Sequence, residues 1–234
     1  MVVALKDVWK TYSMGKLRFD ALKGIDLQLE RGDFAAVAGP SGSGKTTIMN
    51  IIGLVDTPSR GGVLIDGRET AGLSRGELTR MRQEVIGFVF QSFNLLPVLS
   101  VFENVELPLL LGGKGSRSAA LSRARRKERV ERLLEEVGLA DKRLNRPGEL
   151  SGGQQQRVAI ARALVNEPAI VIADEPTANL DSENGARILE LMKKVNTVSG
   201  ATFIFSTHDK TIWEMATRII FLHDGKIERE AGRA

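Results

Sequence analysis

The chain has 234 residues, 42% hydrophobic and 26% charged, a balance typical of an ordinary globular protein and long enough for one large domain or two small ones. It contains no cysteine, which excludes disulfides and thiolate metal sites and fits a reducing compartment. The net charge of +4 is modest and does not by itself demand nucleic acid or anionic lipid as a partner.

The opening MVVALKDVWK places Lys6 and Asp7 inside its first apolar stretch, which is not the pattern of a signal peptide. Strand-like runs rich in Val, Ile and Phe are expected at 2–8, 25–29 and 34–38. Tyr12, the only tyrosine, falls after the first of these. The third leads into Gly39-Pro40-Ser41-Gly42-Ser43-Gly44-Lys45-Thr46, with Thr47 next and a helix carrying Ile48, Ile51, Ile52 and Leu54 behind it. This strand, Gly-rich turn and helix fit G-x-x-x-x-G-K-[ST]. Glycines let backbone N–H groups turn inward around phosphate oxygens, and the helix N-terminus adds partial positive charge. Lys45 would supply a full charge to the β- and γ-phosphates, and the Thr46 hydroxyl a ligand for Mg²⁺.

Further strands are expected at 63–65 and 86–90, the latter ending at Gln91. From residue 92 to about 156 the chain is helix-rich, with a loose loop at 112–116 and a helix-like run at 118–137. Arg117, Arg123, Arg125, Arg126, Lys127, Arg129 and Arg132 face only Glu128 and Glu131 there, which reads as a solvated helix face. Leu150-Ser151-Gly152-Gly153-Gln154 then opens a helix at 153–165, with Ser151 as the N-cap type. It is a second Gly-rich helix N-terminus, but one without a lysine.

An apolar strand at 169–173 ends in Asp174-Glu175. Beside a phosphate loop, Asp174 can hold Mg²⁺ and Glu175 can polarise an attacking water. A helix at 182–197, a strand at 202–205, His208, a helix at 210–216 and a strand at 218–222 follow, with His223-Asp224-Gly225 as a hairpin turn. Strands and helices interleave, which predicts an α/β fold with a largely parallel central sheet. The longest apolar runs fall well short of the roughly 18 residues of a membrane span. At a membrane, another chain must supply the spans.

The order of phosphate loop, L-S-G-G-Q and Asp174-Glu175 resembles the ATP-binding-cassette superfamily over essentially the whole chain. The resemblance implies a single ATPase domain over 1–234: a RecA-like P-loop NTPase core, an antiparallel β lobe and a helical insert at roughly 92–156. It implies ATP and Mg²⁺ as cofactors. Gly39, Ser41, Gly42, Ser43, Gly44, Lys45, Thr46 and Thr47 would cradle the phosphates, and Thr46, Gln91 and Asp174 would hold the metal. Tyr12 would stack on adenine, Glu175 would act on water, and His208 would sense the γ-phosphate. Ser151, Gly153 and Gln154 would serve the ATP of a second copy, across an interface that Asp181 crosses. The other implied partner is an integral-membrane permease, met through Phe93, Leu95, Leu96, Pro97 and Val98; nucleic acid is not expected. The implied location is cytoplasmic, peripheral on the inner face of the plasma membrane. Residues 87–97 and 103–109 look like the lipoprotein-release and macrolide-exporter group, whose permeases recognise the cargo. A chromosome-structure or repair ATPase also carries the signature, but the stretch between Lys45 and Ser151 holds no sustained heptads. A translation-factor ATPase of this superfamily would carry two cassettes in tandem.

Overall fold

The computed structural model describes residues 1–15, 17–113 and 116–232; of the loop expected at 112–116, Lys114 and Gly115 lie outside the described residues. Two sheets form. The first is four-stranded and antiparallel, with β1 (Val3–Met14), β2 (Leu17–Leu29), β4 (Arg60–Ile65) and β5 (Arg68–Glu69) in the order β2-β1-β4-β5. The second has the order β10-β9-β3-β8-β7-β6. There β3 (Phe34–Ala38), β6 (Ile86–Val89), β7 (Ile170–Asp174), β8 (Thr202–Ser206) and β9 (Arg218–His223) run parallel. The antiparallel edge strand is β10 (Lys226–Gly232).

β3 reads Phe-Ala-Ala-Val-Ala and is buried at every position, because both faces of the parallel sheet are covered. Phe34 and Ala36 join one core with Val158, Ile188 and Met192. Ala35 and Val37 point the other way, into a core with Val3, Leu27, Ile48 and Ile51. The period-2 alternation of one strand therefore divides the protein into two cores. On the second core lie α1 (Lys45–Ile52) and α2 (Arg75–Val85). On the first lie α3 (Val101–Leu110), α4 (Arg123–Glu136), α5 (Gly152–Leu164), α6 (Ser182–Ser199) and α7 (Lys210–Met215). Among the described residues, the regular elements between β6 and β7 are all helical. α5 lies hard against β6: a Cβ on Gly87 would collide with the carbonyl oxygen of Ala163.

Several elements depart from the expected bounds. β1 runs on to Met14, so Tyr12 lies within the strand and not after it, and β2 begins at Leu17 instead of residue 25. Register shifts between Leu5 and Val8, Val8 and Lys10, and Lys10 and Thr11 break the alternation that would have marked this hairpin. Residues 118–120 form a separate 3₁₀ turn, and α4 starts at Arg123, capped by Ser122. The basic run is largely paired: Arg126 with Glu106, Lys127 with Glu131, and Arg129 and Arg132 with Glu167. No helix of the described residues is long and apolar enough to cross a membrane.

Candidate functional site

Because β3, β8, β7 and β6 are parallel neighbours, their C-terminal ends line up along one edge of the sheet. That edge is where an open α/β sheet binds ligands. From β3 the chain enters the Gly39–Lys45 loop and α1. Of the seven α-helices among the described residues, six are capped at their N-termini by a side chain: Ser74, Ser100, Ser122, Ser151, Asp181 and Asp209. α1 alone opens on a glycine, Gly44, with no side-chain cap and no acidic residue in its first turn. Its first N–H groups and the positive end of its dipole are thus left for an anion.

The loop keeps this shape because larger residues do not fit. A Cβ on Gly39 would collide with the Leu222 carbonyl oxygen. Gly44, at φ 107°, would bring one within 2.8 Å of the Ala21 carbonyl oxygen. The hairpin turn between β9 and β10 braces the loop from outside: Gly225 N–H donates to Ser43 O at 3.0 Å, and Gly225 O accepts from Lys23 N–H at 2.8 Å. Asp224 and Gly225 both have positive φ, as the expected Asp-Gly turn requires. His223 stands exposed at this turn, 3.8 Å from the Asp224 carboxylate. Lys45 Nζ lies over the loop, donating to Gly39 O at 2.7 Å and Pro40 O at 2.9 Å. Ser43 Oγ is buried with no hydrogen-bond partner. Ser41, Gly42 and Thr46 are exposed, and Thr47 is half-buried.

Asp174 ends β7 opposite Ser206, and Val37 of β3 lies opposite the same Ser206. The carboxylate strand and the strand feeding the loop are therefore two strands apart, about 10 Å. At Glu175 the chain turns out of the sheet with φ 45°, its N–H bonded to Ser206 O at 2.9 Å. This turn sends Glu175 away from Asp174 and towards the end of β8. One Glu175 oxygen lies 2.8 Å from His208 Nδ1, and the Thr207 hydroxyl donates to the other at 3.5 Å. The His208 side chain is otherwise 80% exposed.

Gln91 comes two residues after β6, with its side chain exposed. Its carbonyl accepts from Asn179 Nδ2 at 3.0 Å. Phe93 and Asn94 both have positive φ, and their carbonyls accept from Arg162 Nη2 at 2.7 Å and Nη1 at 2.5 Å. Burial pulls the Arg162 guanidinium below its ordinary pKa. Of the loop expected to be exposed, Phe93 and Leu95 are half-buried, Leu95 against the first core, while Leu96, Pro97 and Val98 are exposed. The correction follows from the left-handed turn, which folds Phe93 back beside Gly152.

At α5, Ser151 and Gln154 form a capping box. Ser151 Oγ accepts from Gln154 N–H at 3.3 Å, and Gln154 Oε1 accepts from Ser151 N–H at 2.9 Å. The Ser151 hydroxyl keeps its own proton to donate. Gly153 packs on Asn184, where a Cβ would stand 3.3 Å from Oδ1. Gln156 is fully buried and donates to Pro176 O at 2.7 Å. Asp181 caps α6, its carboxylate accepting from Asn184 N–H at 2.9 Å and Asn184 Nδ2 at 2.7 Å. The structure thus gathers Asp174, Glu175 and His208 near the phosphate loop, and Ser151, Gly153, Gln154 and Asp181 in a second group. No hydrogen bond or ion pair among the described residues joins that second group to residues 39–47. Sequence patterns did not single out Asn179, Gln156 or Arg162, since a polar residue within a loop or helix carries no periodic signal.

The family profile described as "ABC transporter" matches residues 22–178. The chain is 48% identical to the "Uncharacterized ABC transporter ATP-binding protein MJ0796" of Methanocaldococcus jannaschii, over 98% of this chain and 96% of that one. It is 47% identical to the "Macrolide export ATP-binding/permease protein MacB" of Bdellovibrio bacteriovorus, over 98% of this chain but 34% of that protein. Among solved structures it is similar to the dimeric post-hydrolysis state of the MJ0796 cassette bound to ADP and Pi, with a TM-score of 0.88, 47% identity and 99% of both chains covered. It is also similar to CbiO1 of Clostridium perfringens, with a TM-score of 0.86, 29% identity, 99% of this chain and 88% of that one.

The N–H groups at the start of α6, led by that of Asn184, hold the Asp181 carboxyl below its ordinary pKa. A depressed folded-state pKa contributes stability that is present above the unfolded value, roughly 3.9, and is lost as pH falls through the folded value. Asp181→Ala should therefore melt at a lower temperature than the parent at neutral pH, with the gap closing in acid. Asp181→Asn keeps an acceptor and should show no such pH dependence. Thermal melts across pH check this.

Proposed function

This chain belongs to the ABC transporter family as an ATP-binding and ATP-hydrolysing subunit, and we propose that it hydrolyses ATP at a site completed by a second copy and thereby drives a separate membrane permease. The observation that carries the catalytic part is the 2.8 Å contact between Glu175 and His208 at the sheet edge that also bears the uncapped start of α1.

In this reading the β- and γ-phosphates lie on the N–H groups of the loop and the first turn of α1. Lys45 leaves the Gly39 and Pro40 carbonyls to meet them. Thr46, Gln91 and Asp174 offer a hydroxyl, an amide oxygen and a carboxylate, a hard-oxygen set that fits Mg²⁺ shared with substrate phosphates. The metal would neutralise charge developing on the phosphates. Glu175 accepts the proton of the attacking water, and His208, resting on Glu175 with its ring exposed, is placed to hold the γ-phosphate. The positive φ of Glu175 keeps its carboxylate off the metal ligand Asp174 and free for the water.

The capped start of α5 has N–H groups and a serine hydroxyl to offer a phosphate, but it is not joined to the phosphate loop of its own chain. A second copy resolves this, with Ser151, Gly153 and Gln154 meeting its ATP and Asp181 near the seam. That related cassettes form dimers supports the reading. For the permease, Leu96 and Val98 stand 43% and 74% exposed, and Asn94, two residues before Leu96, helps to line a groove with Phe90, Leu107, Pro108 and Leu111. That two relatives named as ABC transporter ATP-binding proteins are matched over 96% and 94% of their length supports a permease on another polypeptide; the cassette would then work at the cytoplasmic face of the membrane. The MacB name supports an exporter of the macrolide or lipoprotein-release kind.

Glu175→Gln should bind Mg-ATP about as tightly as the parent yet turn it over on the order of 10²–10⁴-fold more slowly, since it removes the proton acceptor and little else. Single-turnover hydrolysis with a parallel binding titration decides; parent-like turnover removes Glu175 from the role. For the permease, Leu96→Asp should keep the ATPase of the isolated chain and lose co-purification with the permease from membranes. Unchanged co-purification would place the contact elsewhere.

A further inference from the structure

Tyr12 is held in a way that neither the phosphate loop nor the fold requires. Its phenol O–H donates to Asp56 Oδ2 at 2.8 Å. The other Asp56 oxygen accepts from Lys10 Nζ at 2.6 Å and from Thr57 N–H at 2.8 Å. Lys10 Nζ also donates to Thr57 O at 2.9 Å and stands 4.9 Å from the centroid of the Tyr12 ring. One ring face thus carries an ammonium group whose side chain is only 11% exposed. Tyr12 as a whole remains 38% exposed.

The anchor belongs to the phosphate-binding helix. After α1 the chain reverses through Gly53 and Leu54, the latter at φ 55°. Val55 and Asp56 then donate their N–H groups back to Asn50 O at 2.9 and 3.1 Å. The reversal returns Asp56 alongside α1, where its carboxylate meets the phenol. Burial alone would raise the Asp56 pKa, but hydrogen bonds from Lys10, Tyr12 and Thr57 outweigh it and hold the carboxyl below its usual range. Burial, with Asp56 adding to it, raises the phenol above its ordinary value. At neutral pH the pair is therefore one carboxylate and one neutral phenol, the combination that makes a charge-assisted hydrogen bond.

We propose that Asp56, clamped by Lys10, is a positioning residue for the nucleotide base: it locks the Tyr12 ring as a flat platform at a fixed offset from the phosphate site of α1. The proposal rests on the reading of Tyr12 as the base-stacking residue. A free tyrosine on a strand surface samples several χ1 rotamers, and holding one of them before the base arrives removes that cost from binding. The chemistry also sets selectivity. The phenol proton is already donated to Asp56, so Tyr12 meets a base with its π face only. Stacking is tolerant of base identity, so this contact favours a purine nucleotide over bare phosphate and discriminates little between adenine and guanine.

The test separates base from phosphate on the intact chain. Affinities for Mg-ATP and for inorganic tripolyphosphate, which has no base, are measured by calorimetry for the parent, Tyr12→Ala, Tyr12→Phe, Asp56→Ala and Asp56→Asn. Tyr12→Ala should weaken ATP about tenfold or more and leave tripolyphosphate within about twofold. Asp56→Ala and Tyr12→Phe should each weaken ATP about 3–10-fold with tripolyphosphate again unchanged, and the double variant should lose no more than either alone. Asp56→Asn, which keeps an acceptor for the phenol, should recover part of the loss. If Tyr12→Ala leaves ATP binding intact, the stacking reading fails and this proposal fails with it. If Tyr12→Ala behaves as expected but Asp56→Ala and Tyr12→Phe leave ATP unchanged, or Asp56→Ala weakens ATP and tripolyphosphate equally, Tyr12 stacks without the anchor and the proposal alone is overturned.

Discussion

The uncapped start of α1 is the feature on which the rest of the structure depends. The other six α-helices among the described residues each hold one N–H of the first turn with a serine or aspartate of their own. α1 cannot, because its loop must leave those groups facing outward for phosphate. That shape is demanding. It needs glycine at 39 and 44, where backbone carbonyls of Leu222 and Ala21 approach too closely for any Cβ. It needs β9 on one side of β3 and β8 on the other, so that the β9–β10 turn can brace Ser43. It also needs a parallel sheet, since only parallel neighbours bring Asp174, Glu175 and His208 to the same edge.

Three side chains tie the remaining loops into that edge. Gln156 of α5 holds Pro176, just beyond Glu175; Arg162 of α5 holds Phe93 and Asn94, just beyond Gln91; and Asn179 holds Gln91 itself. α5 thus grips the segments after β6 and β7 from one side. Arg162 is a half-buried cation bonded to carbonyls, so its loss would leave two carbonyls and a strained left-handed turn without support. In the proposed reading, a change at the γ-phosphate that moved Gln91 or Glu175 would also pull on α5 and the segments packed around it, through these named hydrogen bonds.

What was legible in the sequence follows from burial and from backbone demand. β3, β7 and β8 are buried and β9 is half-buried, so they read as short apolar runs close to their true bounds. The phosphate loop and L-S-G-G-Q were legible because glycines at fixed spacing have a steric cause. An antiparallel lobe beside a largely parallel sheet is expected from the family resemblance, and two sheets of those kinds form; the placing of Glu175 beside His208 has no signature in residue spacing. α2 buries only Met81 and α3 carries Pro108, so neither shows a clean helical stripe. The ladder shifts along β1 hid the strand that holds Tyr12. Asp56 belongs to no motif, and the chain reversal at Leu54 brings it to the phenol.

The central claim is that ATP joins two half-sites, the phosphate loop of one copy and the α5 start of another. The chain has no cysteine, so Ser182→Cys, at the exposed start of α6, carries one spin label per chain. Pulsed dipolar spectroscopy on that chain in the Glu175→Gln background reads distances between copies directly. With Mg-ATP the account predicts a single narrow inter-copy distance, absent without nucleotide and absent when Ser151 is also changed to a bulky residue. A distance that is the same with and without ATP, or none in either case, would contradict it.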